Sequence, residues 1–186
     1  MDTILDIDRW IFQLINRRWE NPLFDSLLPI LRNSNCWGPL YLFLILFSFS
    51  NFRKNVWLWI LFAGGTAIIC DFVSSDIIKE AIFRLRPCHD PSFATLRVTY
   101  CPQSSSFTSS HATNHFGLAM FLFLTLKDHI HKWGYLFFAW AFVIVYAQVY
   151  VGVHYPLDVI CGGLVGLMLG AATGSLFNKF CRLQPK

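Results

Sequence analysis

The chain has 186 residues, enough for one domain of ordinary size. Hydrophobic residues make up 55% and charged residues only 14%, against roughly 25% charged in average soluble domains. That balance excludes an ordinary soluble fold and points to the bilayer.

In chain order, residues 4–19 interleave Ile4, Leu5, Ile7, Ile11, Phe12, Leu14 and Ile15 with Asp6, Asp8, Arg9, Arg17 and Arg18. Such a mixture suits a helix lying along the interface. Asp2, Asp6 and Asp8 argue against a secretory signal, which begins with positive charge. Pro22–Leu31 is apolar but short, and reads either as a re-entrant turn or as part of a sixth span. Five long apolar runs follow: Trp37–Phe52, Val56–Ser75, Ala112–Leu126, Trp133–Val151 and Leu157–Phe177. In hydrocarbon each backbone must satisfy its own polar groups, so each run is predicted helical. The expected architecture is all-α, an integral membrane bundle of five to six transmembrane helices with an N-terminal interfacial helix. Residues 1–186 form one domain, with 1–35 as the interfacial or re-entrant segment and 36–178 as the transmembrane core.

Basic residues set the orientation. Arg53 and Lys54, Lys127 and Lys132, and Lys179, Arg182 and Lys186 fall on one side of a five-span bundle, which is expected to be cytoplasmic. Loops 76–110 and 152–156 then face outward. Lys79, Arg84, Arg86 and Arg97 lie in the first of these, against the usual bias. In the last run Gly162, Gly166, Gly170 and Gly174 recur every four residues and make a smooth helical stripe. Packing within the bundle is the preferred reading of that stripe, and a homo-oligomer contact is the alternative.

Chemistry gathers in three stretches. Lys79 and Arg86 lie seven apart, so a continued helix would put both on one face, with Arg86 ending it before Pro87. Such a pair suits an anion with several oxygens, although basic residues also snorkel at helix ends. Ser109 or Ser110 would cap the next helix, whose N-terminus offers free N–H groups to phosphate, with His111 in its first turn. His154 and Asp158 lie four apart where Pro156 starts another helix. The carboxylate there would fix the tautomer of the imidazole and leave its other nitrogen free to attack. Each stretch alone has a plain structural explanation; together, in this order and topology, they do not.

The combined pattern resembles the type-2 phosphatidic acid phosphatases, the membrane branch of a superfamily shared with bacterial acid phosphatases and vanadium haloperoxidases. The signature of that family is Lys-x6-Arg-Pro, then Pro-Ser-Gly-His, then Ser-Arg-x5-His-x3-Asp. Lys79, Arg86 and Pro87 complete the first element. Ser109 and His111 match the second, with Thr108 for Pro and Ser110 for Gly. His154 and Asp158 match the third, with Ala147 and Gln148 where Ser and Arg are expected.

The resemblance implies dephosphorylation of a membrane lipid without metal or other cofactor. Lys79, Arg86, Ser109 and the N–H groups around Ser110 would hold the phosphate, with Gln148 at the position of a third cation. His154 would form a phosphohistidine, Asp158 would stabilise the imidazolium, and His111 would serve the leaving oxygen and then water. Arg84 or Arg97 is the expected substitute for the missing Arg at 148. The expected partners are a lipid phosphate and the bilayer, with no nucleic acid, and the expected place is a bacterial inner membrane with the site facing the periplasm or outside. Cys88 and Cys101 share the outer loop, where an oxidising compartment permits a disulfide. Three other readings stay open: a metalloprotein using His111, His115, His154 and Asp158, a non-catalytic lipid-binding or assembly protein, and a lipid-to-lipid phosphotransferase.

Overall fold

The computed structural model describes residues 2–186. Helix α1 (Asp2–Gln13) runs on through a π-helical turn, Leu14–Arg18, into α2 (Pro22–Leu31). Helices α3 (Gly38–Asn51), α4 (Val56–Ala81), α5 (Ser110–Ile130), α6 (Leu136–Tyr150) and α7 (Pro156–Phe180) follow. They correspond to the five apolar runs of the sequence.

Three runs are long and apolar enough to cross a membrane: Val56–Ala81, Ser110–Tyr150 and Pro156–Phe180. The 41-residue middle run folds back at His131–Tyr135, where His131 takes φ +48°, and so becomes the hairpin α5–α6. With 14 residues, α3 reaches only about 21 Å, short of a hydrocarbon core of roughly 30 Å. With ten residues α2 is too short to cross, and Phe24 instead sets its ring edge-on against Tyr146 and Tyr150 of α6.

The predicted interfacial helix α1 is amphipathic in an unusual sense. It exposes Ile4, Ile7 and Trp10 while burying Asp8 beside Phe12, with Asn16 buried in the turn that follows. Asp8 and Phe12 thus face the bundle together, while the outer face mixes Ile4, Ile7 and Trp10 with Asp6 and Arg9, which suits a helix at the lipid–water interface. Asn16 fixes the loop that follows α4 by exchanging bonds with the Thr95 backbone at 2.8 and 2.9 Å. Gly152 lies beneath at φ +91°, and a Cβ there would sit 2.7 Å from the Thr95 carbonyl oxygen. A disulfide joins Cys88 to Cys101 in the same loop.

The three basic segments gather at one end. Strand β1 (Phe52–Lys54) pairs antiparallel with β2 (Gln184–Pro185). Asn55 donates to the Cys181 and Arg182 carbonyls, and Arg182 pairs with Asp128 at 3.3 Å. The motif residues lie at the other end.

Helices α5 and α7 run parallel from that end and touch through the glycine stripe. A Cβ at Gly162, Gly166 or Gly170 would stand 2.7, 2.3 or 2.1 Å from the carbonyl oxygens of Ser109, Thr113 and Gly117. The stripe is therefore packed inside the chain. The opposite side of α7 exposes Ile160, Leu164 and Met168, as a lipid-facing surface would. Gly170→Val is expected to cost about 1–3 kcal/mol through overpacking. Gly64→Ala, with nothing within 4 Å of the new methyl, should be near neutral. Thermal unfolding in detergent reads the contrast, and equal shifts in the two variants would contradict the packing described.

Candidate active site

Three helix ends and one loop build the site. Helix α4 widens into a π-helical turn, Val73–Ile78, and stops at Ala81, after which Ile82 is extended. The expected continuous helix from Lys79 to Arg86 is thus absent, and helical spacing is not what relates these two cations. Arg86 sits in the extended conformation expected before Pro87. Lys79 Nζ donates to Ser110 Oγ at 2.6 Å. The π turn adds hydroxyls to the same place: Ser75 Oγ lies 2.9 Å and Ser74 Oγ 3.2 Å from Ser110 Oγ, and Ser74 also meets Thr108 at 3.0 Å.

Ser109 caps α5 by accepting from the Ala112 N–H at 3.4 Å, and its own N–H donates to the Asp158 carbonyl at 3.1 Å. Its hydroxyl is buried in that capping role, behind the cluster around Ser110. His111 stands in the first turn. His115 lies one turn on, 2.8 Å from the His111 carbonyl through Nδ1, with the two rings stacked at 6.1 Å.

His154 occupies the short connection before α7. Arg86 Nη1 lies 3.0 Å from its Nε2, so the guanidinium donates to an imidazole lone pair. Arg86 is held in turn by the carbonyls of Val153, Ser104 and Ser105 and by the Ser104 hydroxyl. On the other edge, Nδ1 is 3.7 Å from Asp158 Oδ2, an electrostatic contact longer than a hydrogen bond. Ser106 fills that gap: its hydroxyl bonds Asp158 Oδ2 and lies 3.5 Å from Nδ1. Asp158 also accepts from the Tyr155 N–H at 2.9 Å and from Arg84 Nη1 at 2.6 Å.

Arg84 binds a second carboxylate, Asp8, at 2.6 Å, and stacks on Tyr155 at 4.0 Å. Asp8 in turn accepts from the Leu157 N–H at 2.8 Å, at the start of α7. Arg97 is engaged by Glu20 at 2.7 Å and by Asp25 at 2.6 Å. The expectation that Arg84 or Arg97 replaces the missing motif cation is therefore corrected, because protein carboxylates already neutralise both. Gln148 is fully buried in α6, and both its amide atoms lack a partner among the described residues.

Burial lowers the His154 pKa to about 4; Asp158 pulls upward while Arg86 and Lys79 push downward. The imidazole is neutral near pH 7, and its Nε2 carries the lone pair that accepts from Arg86. Burial also lowers Arg86 to about 10, so it stays charged. For Arg84, burial opposes the charge, but Asp158 and Asp8 outweigh it and raise the pKa. Chemically, the set combines a neutral imidazole, two cations without carboxylate partners and two helix N-termini, which suits holding and attacking a multi-oxygen anion. No three His, Cys, Asp or Glu residues converge into a metal-binding group among the described residues.

Sequence reasoning brought Lys79, Ser110, Arg86, His154 and Asp158 into one neighbourhood. It missed Ser74, Ser75, Ser106 and Asp8. The signals for them were a serine pair just before Lys79, a serine-rich run before His111, and an acid four residues before Phe12 in the amphipathic N-terminal helix.

Bundle and site together define a membrane enzyme that handles phosphate. The family model described as PAP2 superfamily matches residues 56–181, and the chain belongs to that superfamily. The chain is 31% identical over 179 residues to the lipid A 4'-phosphatase of Porphyromonas gingivalis, covering 91% of this chain and 72% of that protein. Among solved structures, Aquifex aeolicus LpxE matches with a TM-score of 0.63 at 29% identity, over 88% of this chain and 92% of that one. The fold is also that of a transmembrane PAP2-type phosphatidylglycerolphosphate phosphatase from Bacillus subtilis, with a TM-score of 0.70 at 24% identity, over 97% and 89% of the two chains. The chain is thus a membrane lipid phosphatase of PAP2 type.

Two outcomes follow from this geometry. Removing the Ser106 hydroxyl, as in Ser106→Ala, should lower kcat roughly tenfold or more, because a hydrogen bond to a buried charge is lost. Unchanged turnover would show that Ser106 does not support the His154–Asp158 pair. Separately, the unfolded imidazole takes its proton near pH 6.5 and the folded one near 4, so the unfolded chain binds more protons in between. The stability from neutral His154 is present above 6.5 and is lost as pH falls toward 4, by up to about 3 kcal/mol. Thermal unfolding across that window should slope less in His154→Asn than in the parent.

Proposed function

We propose that this chain removes a phosphate from a lipid A-type glycolipid through a phosphohistidine, at the periplasmic face of a bacterial inner membrane. The observation that carries the mechanism is His154, whose Nε2 meets Arg86 at 3.0 Å while Nδ1 faces Asp158 and Ser106. With substrate present, Lys79, Arg86 and the N–H groups at the start of α5 hold the phosphate oxygens. The Nε2 lone pair attacks phosphorus, the ester bond breaks, and His111 delivers a proton to the departing oxygen. Asp158 stabilises the positive charge left on the imidazole. Water then attacks the phosphohistidine, giving its proton to His111 and releasing inorganic phosphate and neutral His154. Protein cations and helix N–H groups supply the positive field, so no metal is required.

The likeness to the Porphyromonas gingivalis enzyme, over 91% of this chain, supports the substrate class. The gathering of Arg53, Lys54, Lys127, Lys132 and the basic C-terminus at the end away from the site supports a periplasmic active site. The cations of the outer loop have local reasons to be there, since Arg84 and Arg97 bind carboxylates and Arg86 meets His154.

The test is phosphate release by purified protein from lipid A, phosphatidic acid, phosphatidylglycerol phosphate and undecaprenyl diphosphate, with chelator present. Release should be fastest from lipid A, and His154→Ala and His111→Ala should each lose on the order of a thousandfold or more. Preference for a glycerophospholipid would overturn the substrate assignment and leave the mechanism standing. Turnover indifferent to His154 would sink the mechanism.

A further inference from the structure

The cations near the site divide by what already holds them. Arg84 and Arg97 each bind two carboxylates. Arg32, the residue that ends α2, makes no ion pair and no side-chain hydrogen bond among the described residues, and its Nε is buried without a partner. It lines a cavity of about 390 Å³ together with Asn33, Thr99 and His111. Burial lowers its pKa, opposed only by Tyr100. Its charge also works to lower the pKa of Arg86, against the larger upward pull of Asp158. Arg32 and His111 line one cavity, and the unpartnered Nε of Arg32 leaves its guanidinium a donor for an anion held there. Meanwhile Gln148, at the position where the family motif carries Arg, is buried, uncharged and unpartnered.

We infer that Arg32 is a phosphate-binding residue, supplying from the N-terminal segment the third cation that Gln148 cannot. The assignment rests on the phosphatase mechanism proposed above. It moves one clamp from α6 to the end of α2, on the His111 side of the site. There the guanidinium meets a phosphoryl oxygen as a planar donor, a role for which a lysine is a partial substitute.

The experiment measures KM for lipid phosphate and the inhibition constant for inorganic phosphate on the purified full chain. Arg32→Ala should raise both by roughly ten- to hundredfold, since a charge-assisted hydrogen bond to a buried anion is lost. Arg32→Lys should recover part of that loss. Adding Gln148→Arg to Arg32→Ala should recover more, a gain that misfolding cannot mimic. Wild-type KM and phosphate inhibition in Arg32→Ala would overturn the inference, as would a double variant no better than Arg32→Ala. His154→Ala separates the two levels. If it is inactive while Arg32→Ala is unaffected, only the Arg32 assignment fails; if it still turns over, the mechanism fails and the assignment with it.

Discussion

The contact between α5 and α7 sets the geometry on which the rest of the site depends. Membrane helices have no hydrophobic drive to associate, so close backbone approach and interhelical hydrogen bonds must hold them. Gly162, Gly166 and Gly170 let α7 lie directly on the carbonyls of Ser109, Thr113 and Gly117. The register is tight enough for the Ser109 N–H to reach the Asp158 carbonyl at 3.1 Å. Two helix N-termini are thereby locked side by side. One carries Ser110 and His111; the other carries Asp158 and is preceded by His154. Helix α4 joins this pair through hydrogen bonds, Thr66 to Thr173 at 2.8 Å and Trp59 to Thr125 at 2.9 Å. That docking brings Lys79 to Ser110.

Charge sorts the loop between α4 and α5 into two populations, and burial makes the sorting consequential. A buried cation needs either a carboxylate or strong acceptors. Arg97 uses Glu20 and Asp25 to tie the loop to the N-terminal segment, so its role is architectural. Arg86 uses carbonyls and a hydroxyl instead, which satisfy its donors while leaving its charge uncancelled. An uncancelled charge of this kind keeps its attraction for an incoming phosphate. It also explains how a neutral His154 is maintained, since Arg86 presents an N–H to the lone pair and opposes protonation.

Much of this was legible in the sequence, and the reasons for the rest are specific. Apolar runs identify helices because the bilayer forces backbone self-satisfaction, so α3 to α7 were readable. Motif spacing placed His154 beside Asp158, since four residues at a helix start close on one face. The Lys79–Arg86 relation was misread, because the π turn at Val73–Ile78 and the break after Ala81 have no periodic signature. Ser106 and Asp8 act across separations of 52 and 149 residues, on Asp158 and Leu157, which no local pattern encodes. The glycine stripe was visible as a surface, but its partner was fixed only by the fold. Arg84 was singled out as a spare cation, and two distant acids decide otherwise.

Asp8 gives the N-terminal helix an electrostatic part in the site. Had Arg84 faced Asp158 alone at 2.6 Å, the pair would be close to neutral, and Asp158 would have little field left for a developing imidazolium. Because Arg84 is shared with Asp8 at the same distance, the trio of two carboxylates and one guanidinium keeps a net negative charge beside His154. The Leu157 N–H and the positive start of α7 moderate that charge without cancelling it. The arrangement makes Asp158 strong enough to orient the ring yet leaves the resting imidazole unprotonated, because burial dominates until positive charge arrives by attack. Helix α1 holds Asp8 in place by burying Phe12, one turn on, against Phe93 and Tyr155, which leaves Ile4, Ile7 and Trp10 exposed. The outward face of those residues and the charge balance at His154 are therefore two consequences of the same helix orientation.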